Sequence, residues 1–279
     1  MGKDIYKNIT VKPIAGSLGA EILDVDLKNL NEETFNEIYS AFVDHQVIFF
    51  REQSLTSDEY LAFGKRWGKI HHYPYMKGLD SHPEILEILK TENDTYAFGN
   101  VWHSDGSFTE IPPKATMLYA LELPIAGGDT LFSNMYEAYN TLSDGMKKTL
   151  LSTRGLNVGD QPLASFSGAK SMNQKDPGKT QVRTYHPAIR THPDSKKKSL
   201  YVGGHTIELE SFTKDESVPI LNYLKTHAII PEFTCRFRWR EGSIAIWDNR
   251  CTQHYAIDDY AGHRRRMHRI TIMGEESPY

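Results

Sequence analysis

The order of the hydrophobic patterns along the chain is the feature that most restricts its fold. Helix-like apolar spacing comes first, and from about residue 86 onward most apolar residues lie in short runs separated by Gly, Pro and Asp. Short runs bounded by turn residues are typical of β-strands, and helices followed by many strands favour a sheet sandwich or barrel with flanking helices. The 279 residues contain no internal repeat and no low-complexity linker. We therefore predict one mainly β domain over residues 1–279.

Both N-terminal helices have residues suited to begin them. Asn31 can cap the first helix, which carries an apolar stripe at helical spacing from Phe35 to Val43. Thr56 and Glu59 can form a capping box for the second helix. The other predicted elements are strands within 9–25 and at 47–50, 234–239, 243–247 and 266–273, and helical stretches near 134–152 and 215–228.

Residues 155–185 are the least regular stretch of the chain and are rich in Gly, Ser, Lys and Gln. A long irregular segment inside a compact domain is usually a functional lid or a disordered loop. We predict a lid insertion near 155–185, with a disordered loop as the alternative.

The charge of the chain argues against a nucleic-acid partner. The formal net charge is −4, and binding to phosphates needs clustered Lys and Arg. The basic run at 196–198 follows a turn and is interpreted as a solvated loop, with a binding patch as the alternative.

The sequence shows no pattern typical of a membrane-spanning segment or of a secretory signal. No apolar run approaches 18 residues, and the N-terminal residues lack the apolar core of a secretory signal. We therefore expect a cytoplasmic protein with no membrane partner. We also expect a homo-oligomer (dimer or tetramer). Reduced thiols at Cys235 and Cys251 are the simpler interpretation, and a disulfide between them is the alternative.

A possible metal site begins with the pattern His-x-Asp/Glu. Redox iron with open coordination positions is held by two His and one carboxylate, and a His followed two residues later by a carboxylate in an extended segment supplies two ligands on one face. With 12 His and 36 acidic residues, chance alone gives about 1.5 such patterns. Three occur, beginning at His82, His103 and His192.

Local context separates the three patterns. His82 and His192 each precede Pro, and His192 continues into a turn-like segment. His103 and Asp105 follow an apolar Val-Trp pair and precede small residues, which suits the rim of a cavity. On spacing alone, a surface His at 103 is an equal alternative.

The third ligand has to come from another part of the chain. An apolar strand at 244–247 runs into a polar turn that presents His254 just beyond it. The competing interpretation is a core His that donates to a carbonyl group, and this segment alone favours it.

The next segment supports a ligand at His254. Arg265 and Arg269 share one parity of a predicted strand, so both project to the same face. Two guanidinium groups directed into a cavity require anions there, because a buried unpaired charge costs several kcal/mol, and Arg is suited to bidentate binding of carboxylates. An edge strand with both arginines in water is the alternative.

Taken together, these motifs resemble those of the taurine dioxygenase family, which includes phenoxyacetate dioxygenases and alkylsulfatases. The resemblance rests on W-H-S-D at 102–105, G-G-D-T-L at 127–131, W-D-N-R-C-T-Q-H-Y-A at 247–256 and R-R-R-M-H-R at 264–269, and it extends to the N-terminal segments 17–27 and 45–51.

The resemblance implies a double-stranded β-helix, or jelly roll, with Fe(II) at one end and 2-oxoglutarate and O2 as co-substrates. His103, Asp105 and His254 match the iron ligands of the family. Thr130 and Arg265 match the residues that bind the 2-oxoglutarate carboxylate, and Arg269 matches an arginine that meets the anionic end of the primary substrate.

The implied reaction hydroxylates a small organic anion and releases succinate and CO2. A sulfonate such as taurine, or a related alkanesulfonate, would give sulfite and an aldehyde, and an aryloxyalkanoate or an alkyl sulfate ester is the alternative substrate. His72, Tyr73 and His205 are candidate pocket residues, but the taurine enzyme's sulfonate-binding His aligns with Tyr73, so taurine itself fits poorly.

Two other function classes are compatible with the same histidines. One is a metal-binding jelly roll that acts as a sensor without oxidative chemistry, and the other is a zinc hydrolase that uses a bound water. Neither class requires Arg265 together with Thr130.

Overall fold

The protein is described here by a computed structural model that covers residues 6–72, 76–159 and 182–279. Its helices are α1 (Glu32–His45), α2 (Ser57–Arg66), α3 (Met135–Asn140), α4 (Asp144–Leu150) and α5 (Lys214–His227), with a short 3-10 helix at Pro231–Phe233. Its strands are β1 (Thr10–Pro13), β2 (Ala20–Leu23), β3 (Val47–Phe50), β4 (Leu86–Lys90), β5 (Ala115–Glu122), β6 (Thr130–Asn134), β7 (Arg154–Val158), β8 (Arg183–Pro187), β9 (Ile189–Thr191), β10 (Lys198–Leu200), β11 (Thr206–Leu209), β12 (Thr234–Phe237), β13 (Ile244–Asp248), β14 (Thr252–Ala256) and β15 (Arg265–Ile272).

Two facing sheets form the centre of the molecule. The larger sheet has the strand order β1-β2-β3-β13-β5-β15-β4, and the smaller has the order β12-β6-β14. Apart from the parallel β2–β3 pair, their strands pair antiparallel. Aromatic residues fill the space between the sheets, including Phe49 stacked on Phe237 with ring centroids 3.9 Å apart. This sandwich confirms the predicted jelly roll.

The apolar residues of strand β13 form a continuous run and do not alternate with polar ones, because both faces of the strand are buried. Ile244 and Ile246 contribute to a core under the helices, while Ala245 and Trp247 contribute to the core between the sheets. Because successive side chains point to opposite faces, a strand covered on both faces has apolar residues at consecutive positions, as at 244–247.

Helices α1 and α2 cover the outer face of the larger sheet as predicted. Asn31 accepts a hydrogen bond from the backbone N–H of Thr34 and so caps α1. Thr56 and Glu59 form the predicted capping box of α2. Their apolar stripes pack against β3, β5, β13 and β15, so the helices stabilise the strands that carry the site.

Two sequence predictions need correction. The single helical stretch expected near 134–152 is two short helices, because Asn134 and Ser143 each cap a separate start. The ends of the predicted lid are regular, since β7 and β8 pair antiparallel from Arg154 opposite Pro187 to Val158 opposite Arg183. Residues 160–181 of that prediction lie outside the described residues.

Other predictions concern exposure and environment. The lysines at 196–198 are exposed on the β9–β10 hairpin, as a solvated loop should be. Cys235 and Cys251 are buried free thiols. None of the described helices is both long and apolar enough to cross a membrane. The cytoplasmic location and the homo-oligomer stay predictions.

Candidate metal centre

The three predicted ligands meet at one end of the two sheets. The backbones of His103 and His254 are hydrogen-bonded to each other in both directions, at 3.1 and 2.9 Å. His254 belongs to β14, whereas His103 makes an isolated bridge and Asp105 lies in the turn that follows. The sequence prediction of one extended segment for His103 and Asp105 is therefore wrong, although the turn still brings the two side chains together.

The potential ligand atoms of these three buried residues lie within 4.8 Å of one another. Asp105 Oδ1 is 3.5 Å from His103 Nε2 and 3.8 Å from His254 Nε2. Burial would raise the pKa of Asp105, but Arg269 and the two histidines outweigh it and hold that pKa well below its usual range. Asp105 is therefore an ionised carboxylate.

Both histidines can present a lone pair to this centre. His103 Nδ1 lies 2.7 Å from the carbonyl oxygen of Val101, and because a carbonyl only accepts, Nδ1 carries the proton and Nε2 is left as an acceptor. Burial and the neighbouring His103 hold the pKa of His254 well below its usual range, so this ring is neutral. Three acceptor atoms that converge in a buried space fit a bound cation.

A second buried cluster with the same residue types does not fit a metal. The ligand atoms of His192, Asp248 and Cys251 also lie close together. However, Asp248 accepts hydrogen bonds from Arg250 at 2.6 and 2.8 Å and is 2.9 Å from His192 Nε2. His192 Nδ1 accepts two backbone N–H bonds from the following turn. Each ring nitrogen and carboxylate oxygen of this pair is thus already used by the protein.

A partly open cavity lies beside the metal centre. It is lined by Ile88, Phe98, Gly99, His103, Leu118, Thr130, Trp247, His254, Ala256, Arg265 and Arg269. The structure therefore brings together in one space both histidines, the two arginines on one face of β15, and Thr130 on β6. The predicted orientation of the two arginines is confirmed, since both are about 95% buried while Arg266 between them is not.

Arg265 is the most unusual charge in this cavity. Its Nε and Nη2 atoms are buried and have no hydrogen-bond partner among the described residues. Burial lowers its pKa, although Tyr260 and Asp129 lie near enough to oppose that shift. Gly128, at φ +71°, leaves room for the side chain, because a Cβ there would lie 3.2 Å from Arg265 Cδ. A buried guanidinium with free donors fits a carboxylate of a bound anion.

Thr130 has a hydroxyl that is ready to donate to such an anion. Trp239 Nε1 donates to Thr130 Oγ1 at 2.9 Å. Because an indole N–H can only donate, the hydroxyl proton of Thr130 is left for another acceptor. The guanidinium of Arg265 lies 5.8 Å from the centre of the Trp239 ring, so Trp239 supports both residues. The sequence motifs did not indicate Trp239 as a site residue.

Only some of the residues predicted to bind the primary substrate lie at the metal centre or its cavity. Arg269 Nη2 lies 2.9 Å from Asp105 Oδ1, so this arginine contacts a metal-binding carboxylate as well as the cavity. His205 is buried and packs edge-to-face on His103, with ring centroids 5.9 Å apart; burial and His103 lower its pKa to about 4. His72 is exposed and does not line the cavity. Tyr73 lies outside the described residues.

Two histidines and a carboxylate beside a buried anion pocket define the site of a mononuclear non-haem iron dioxygenase, and the donor set of His103, Asp105 and His254 could hold iron. Comparisons with known proteins agree. The family model described as "Taurine catabolism dioxygenase TauD, TfdA family" matches residues 10–271. The chain belongs to this family of dioxygenases.

Individual relatives differ in their reported substrates. An alpha-ketoglutarate-dependent sulfate ester dioxygenase from Pseudomonas putida is 32% identical over 274 residues, which cover 96% of this chain and 90% of that protein. An alkylsulfatase from Acinetobacter baylyi is 32% identical over 276 residues, which cover 96% and 86%. The crystal structure of a taurine dioxygenase from Burkholderia xenovorans superposes with a TM-score of 0.83 at 32% identity and covers 96% of this chain and 90% of that one.

Proposed function

We propose that the protein is an Fe(II)- and 2-oxoglutarate-dependent dioxygenase that hydroxylates a small organosulfur anion, at the carbon next to a sulfonate or sulfate ester group. The observation that carries the proposal is the buried Arg265, which lines the same cavity as the metal-binding histidines and has two donor atoms without a partner among the described residues. A sensor or a zinc hydrolase has no use for this guanidinium beside the Thr130 hydroxyl.

Different residues of the site would bind the metal, the co-substrate and the primary substrate. His103, Asp105 and His254 would hold Fe(II), which when bound supplies the oxidative chemistry. Arg265 and Thr130 would bind the distal carboxylate of 2-oxoglutarate and so fix its direction in the cavity. The apolar side chains of Ile88, Leu118 and Trp247 exclude water around these polar groups, which strengthens each electrostatic contact.

Arg269 would meet the anionic group of the primary substrate. It is buried on the same strand face as Arg265, four residues further along β15, and contacts Asp105. An anion that binds Arg269 is therefore held close to the metal-binding carboxylate, which places its neighbouring carbon at the reactive centre.

The cavity favours a substrate without an amino group. Among the described residues that line it there is no Asp or Glu, so the ammonium group of an aminoalkanesulfonate would lose water without gaining a counter-charge there. We therefore expect simple alkanesulfonates and alkyl sulfate esters to be better substrates than taurine. The sulfate ester enzymes among the relatives support the second class.

The proposed function is tested in two steps. Anaerobic addition of Fe(II) and 2-oxoglutarate should produce a weak visible charge-transfer band, and a colourless mixture would leave a sensor or a zinc hydrolase instead. Alkanesulfonates, alkyl sulfate esters, taurine and aryloxy acids are then compared for stimulated succinate formation. Equal stimulation by aryloxy acids would contradict the organosulfur assignment.

A paired substitution on β15 tests the role of Arg269. Arg269→Ala should raise KM for the primary substrate by far more than it slows 2-oxoglutarate turnover without substrate. Arg266→Ala is the matched control, because this arginine lies on the opposite face of the strand, and it should change neither quantity. If Arg269→Ala impairs substrate binding and substrate-free 2-oxoglutarate turnover to the same extent, Arg269 has no separate role in binding the primary substrate.

A further inference from the structure

The two carboxylate oxygens of Asp105 have different surroundings. Oδ2 accepts a hydrogen bond from the hydroxyl of Thr116 at 2.7 Å. Oδ1 is the oxygen that faces His103, His254 and Arg269. Oδ2 is therefore held by a hydroxyl of the protein, whereas Oδ1 is directed to the metal centre, where Arg269 Nη2 also contacts it at 2.9 Å.

The directions of the hydrogen bonds around Thr116 are fixed by their donors. Asn249 Nδ2 donates to Thr116 Oγ1 at 3.0 Å, so the proton of the Thr116 hydroxyl is directed to Asp105. Asn249 Oδ1 in turn accepts the backbone N–H of Asp105 at 3.3 Å. Each donor in this ring of three residues has one acceptor, and a chain of bonds in one direction strengthens its members.

The ring is attached to the rigid part of the fold. Thr116 and Asn249 are fully buried. Thr116 lies in β5 directly opposite Trp247 of β13, and the backbone N–H of Asn249, just after β13, donates to the carbonyl of Lys114 at 3.0 Å. The central sheet thereby sets the orientation of a carboxylate that itself lies in a turn.

We infer that Thr116, oriented by Asn249, is a positioning residue that restricts Asp105 to a single metal-binding oxygen. The inference rests on the proposed metal centre. With Oδ2 held by Thr116, the protein supplies three ligand atoms rather than four, and the remaining positions on the metal stay available for the co-substrate and O2.

Metal affinity provides a test that does not depend on turnover. Mn(II) binding is titrated by electron paramagnetic resonance for the wild type, Thr116→Val, Thr116→Ser and Thr153→Val. Thr153 is the matched control, because it is also buried and its hydroxyl donates to a backbone carbonyl, that of Thr149, at 2.8 Å far from the centre. Thermal unfolding without metal shows that each variant is folded.

Thr116→Val should weaken Mn(II) binding by about 10- to 100-fold, the range typical for partners of metal ligands, and Thr116→Ser should restore it. In the anaerobic Fe(II) complex, saturating 2-oxoglutarate should give a weaker visible band with Thr116→Val than with Thr116→Ser. Asn249→Ala should weaken Mn(II) binding less than Thr116→Val, because the Thr116 hydroxyl can still reach Asp105. Thr153→Val should match the wild type.

Several outcomes would overturn this inference. One is a Thr116→Val protein with wild-type affinity and band, and another is a Thr116→Ser protein as weak as Thr116→Val. If Thr116→Val does not fold, Thr116→Ala is used with the same expectations. A wild type that binds no Mn(II) and gives no band contradicts the proposed function itself, so the two failures are distinguishable.

Discussion

The molecule contains two buried histidine–aspartate clusters of nearly the same composition that are suited to opposite purposes. Around His192 and Asp248, each ring nitrogen and carboxylate oxygen has a partner from the protein. Around His103, Asp105 and His254, the imidazole lone pairs and Asp105 Oδ1 converge beside a cavity, and of these ligand atoms Oδ1 also contacts Arg269 Nη2, at 2.9 Å. Burial of charged groups is therefore a poor guide to function, and unused hydrogen-bonding capacity is a better one.

The same contrast separates two buried arginines. Arg250 is held between Asp248 and Asp194, at 2.6 and 2.9 Å. Arg265 has two buried donor atoms, Nε and Nη2, without a hydrogen-bond partner in the part of the chain that the structure describes. Removing one partner of a buried ion pair destabilises the fold because it leaves the other charge uncompensated, whereas a buried charge with unused donors is retained where a ligand completes it.

The largest expected effect comes from exchanging one histidine in each cluster for alanine. His254→Ala should weaken Mn(II) binding by more than about 1000-fold, beyond the range for outer partners of a ligand, because it removes a ligand. His192→Ala should leave Mn(II) affinity unchanged but lower the free energy of unfolding, because it removes one partner of Asp248 and leaves the backbone N–H groups of Asp194 and Ser195 without their acceptor. Metal titration and chemical denaturation of both variants measure the contrast. Loss of Mn(II) binding with His192→Ala would instead assign the metal to the cluster of His192, Asp248 and Cys251.

A smaller effect is expected from the arginines. Arg265→Met should weaken 2-oxoglutarate binding by about 30- to 300-fold, because it removes one partner of a buried charge pair that is worth about 2–3 kcal/mol or more. The metal-free protein should lose little stability, because two donor atoms of the removed guanidinium have no hydrogen-bond partner among the described residues. Arg250→Met should instead lower the free energy of unfolding and leave the affinity for 2-oxoglutarate unchanged. The affinity for 2-oxoglutarate is measured from the intensity of the visible band during a titration, and the free energy of unfolding is measured with urea. An equal loss of stability in both variants would contradict the contrast between the two arginines.

The smallest effect concerns acid stability. Burial would raise the pKa of Asp248, but Arg250 and His192 outweigh it and hold that pKa well below its usual range. A carboxyl whose pKa is lowered on folding contributes stability above its unfolded pKa of about 3.9 and loses that contribution as the pH falls further. Asp248→Asn should thus cost about 1.5–3 kcal/mol at pH 7, and its difference from the wild type should shrink below about pH 4. Urea midpoints measured from pH 7 to pH 3 would show this, and a difference independent of pH would speak against an ionised Asp248.

The sequence was informative wherever a periodic pattern decided the exposure of a side chain. The period of two in β15 predicted correctly that Arg265 and Arg269 share a buried face. Capping residues predicted the starts of α1 and α2 correctly, because each capping side chain binds a backbone N–H only three residues further along the chain. Such local rules do not depend on the rest of the fold.

Contacts that depend on the register between distant strands were not predictable. Thr116 and Asn249 meet only because β5 and β13 pair with Trp247 opposite Thr116, and nothing near either residue indicates this register. The pattern at His192 was interpreted correctly as a turn, since its ring nitrogen accepts the N–H groups of Asp194 and Ser195. Its complete burial and its bond to Asp248 come from tertiary packing, which a turn pattern does not contain.

The backbone bridge between His103 and His254 has a consequence for how the protein matures. The two residues come from opposite halves of the chain, and neither can take its place until the two halves are hydrogen-bonded to each other. Helices α1 and α2 can form early from local contacts, whereas closing so long a loop is slow. Capture of the metal should therefore be a late event in folding, and an incompletely folded chain would be unable to hold iron with both histidines.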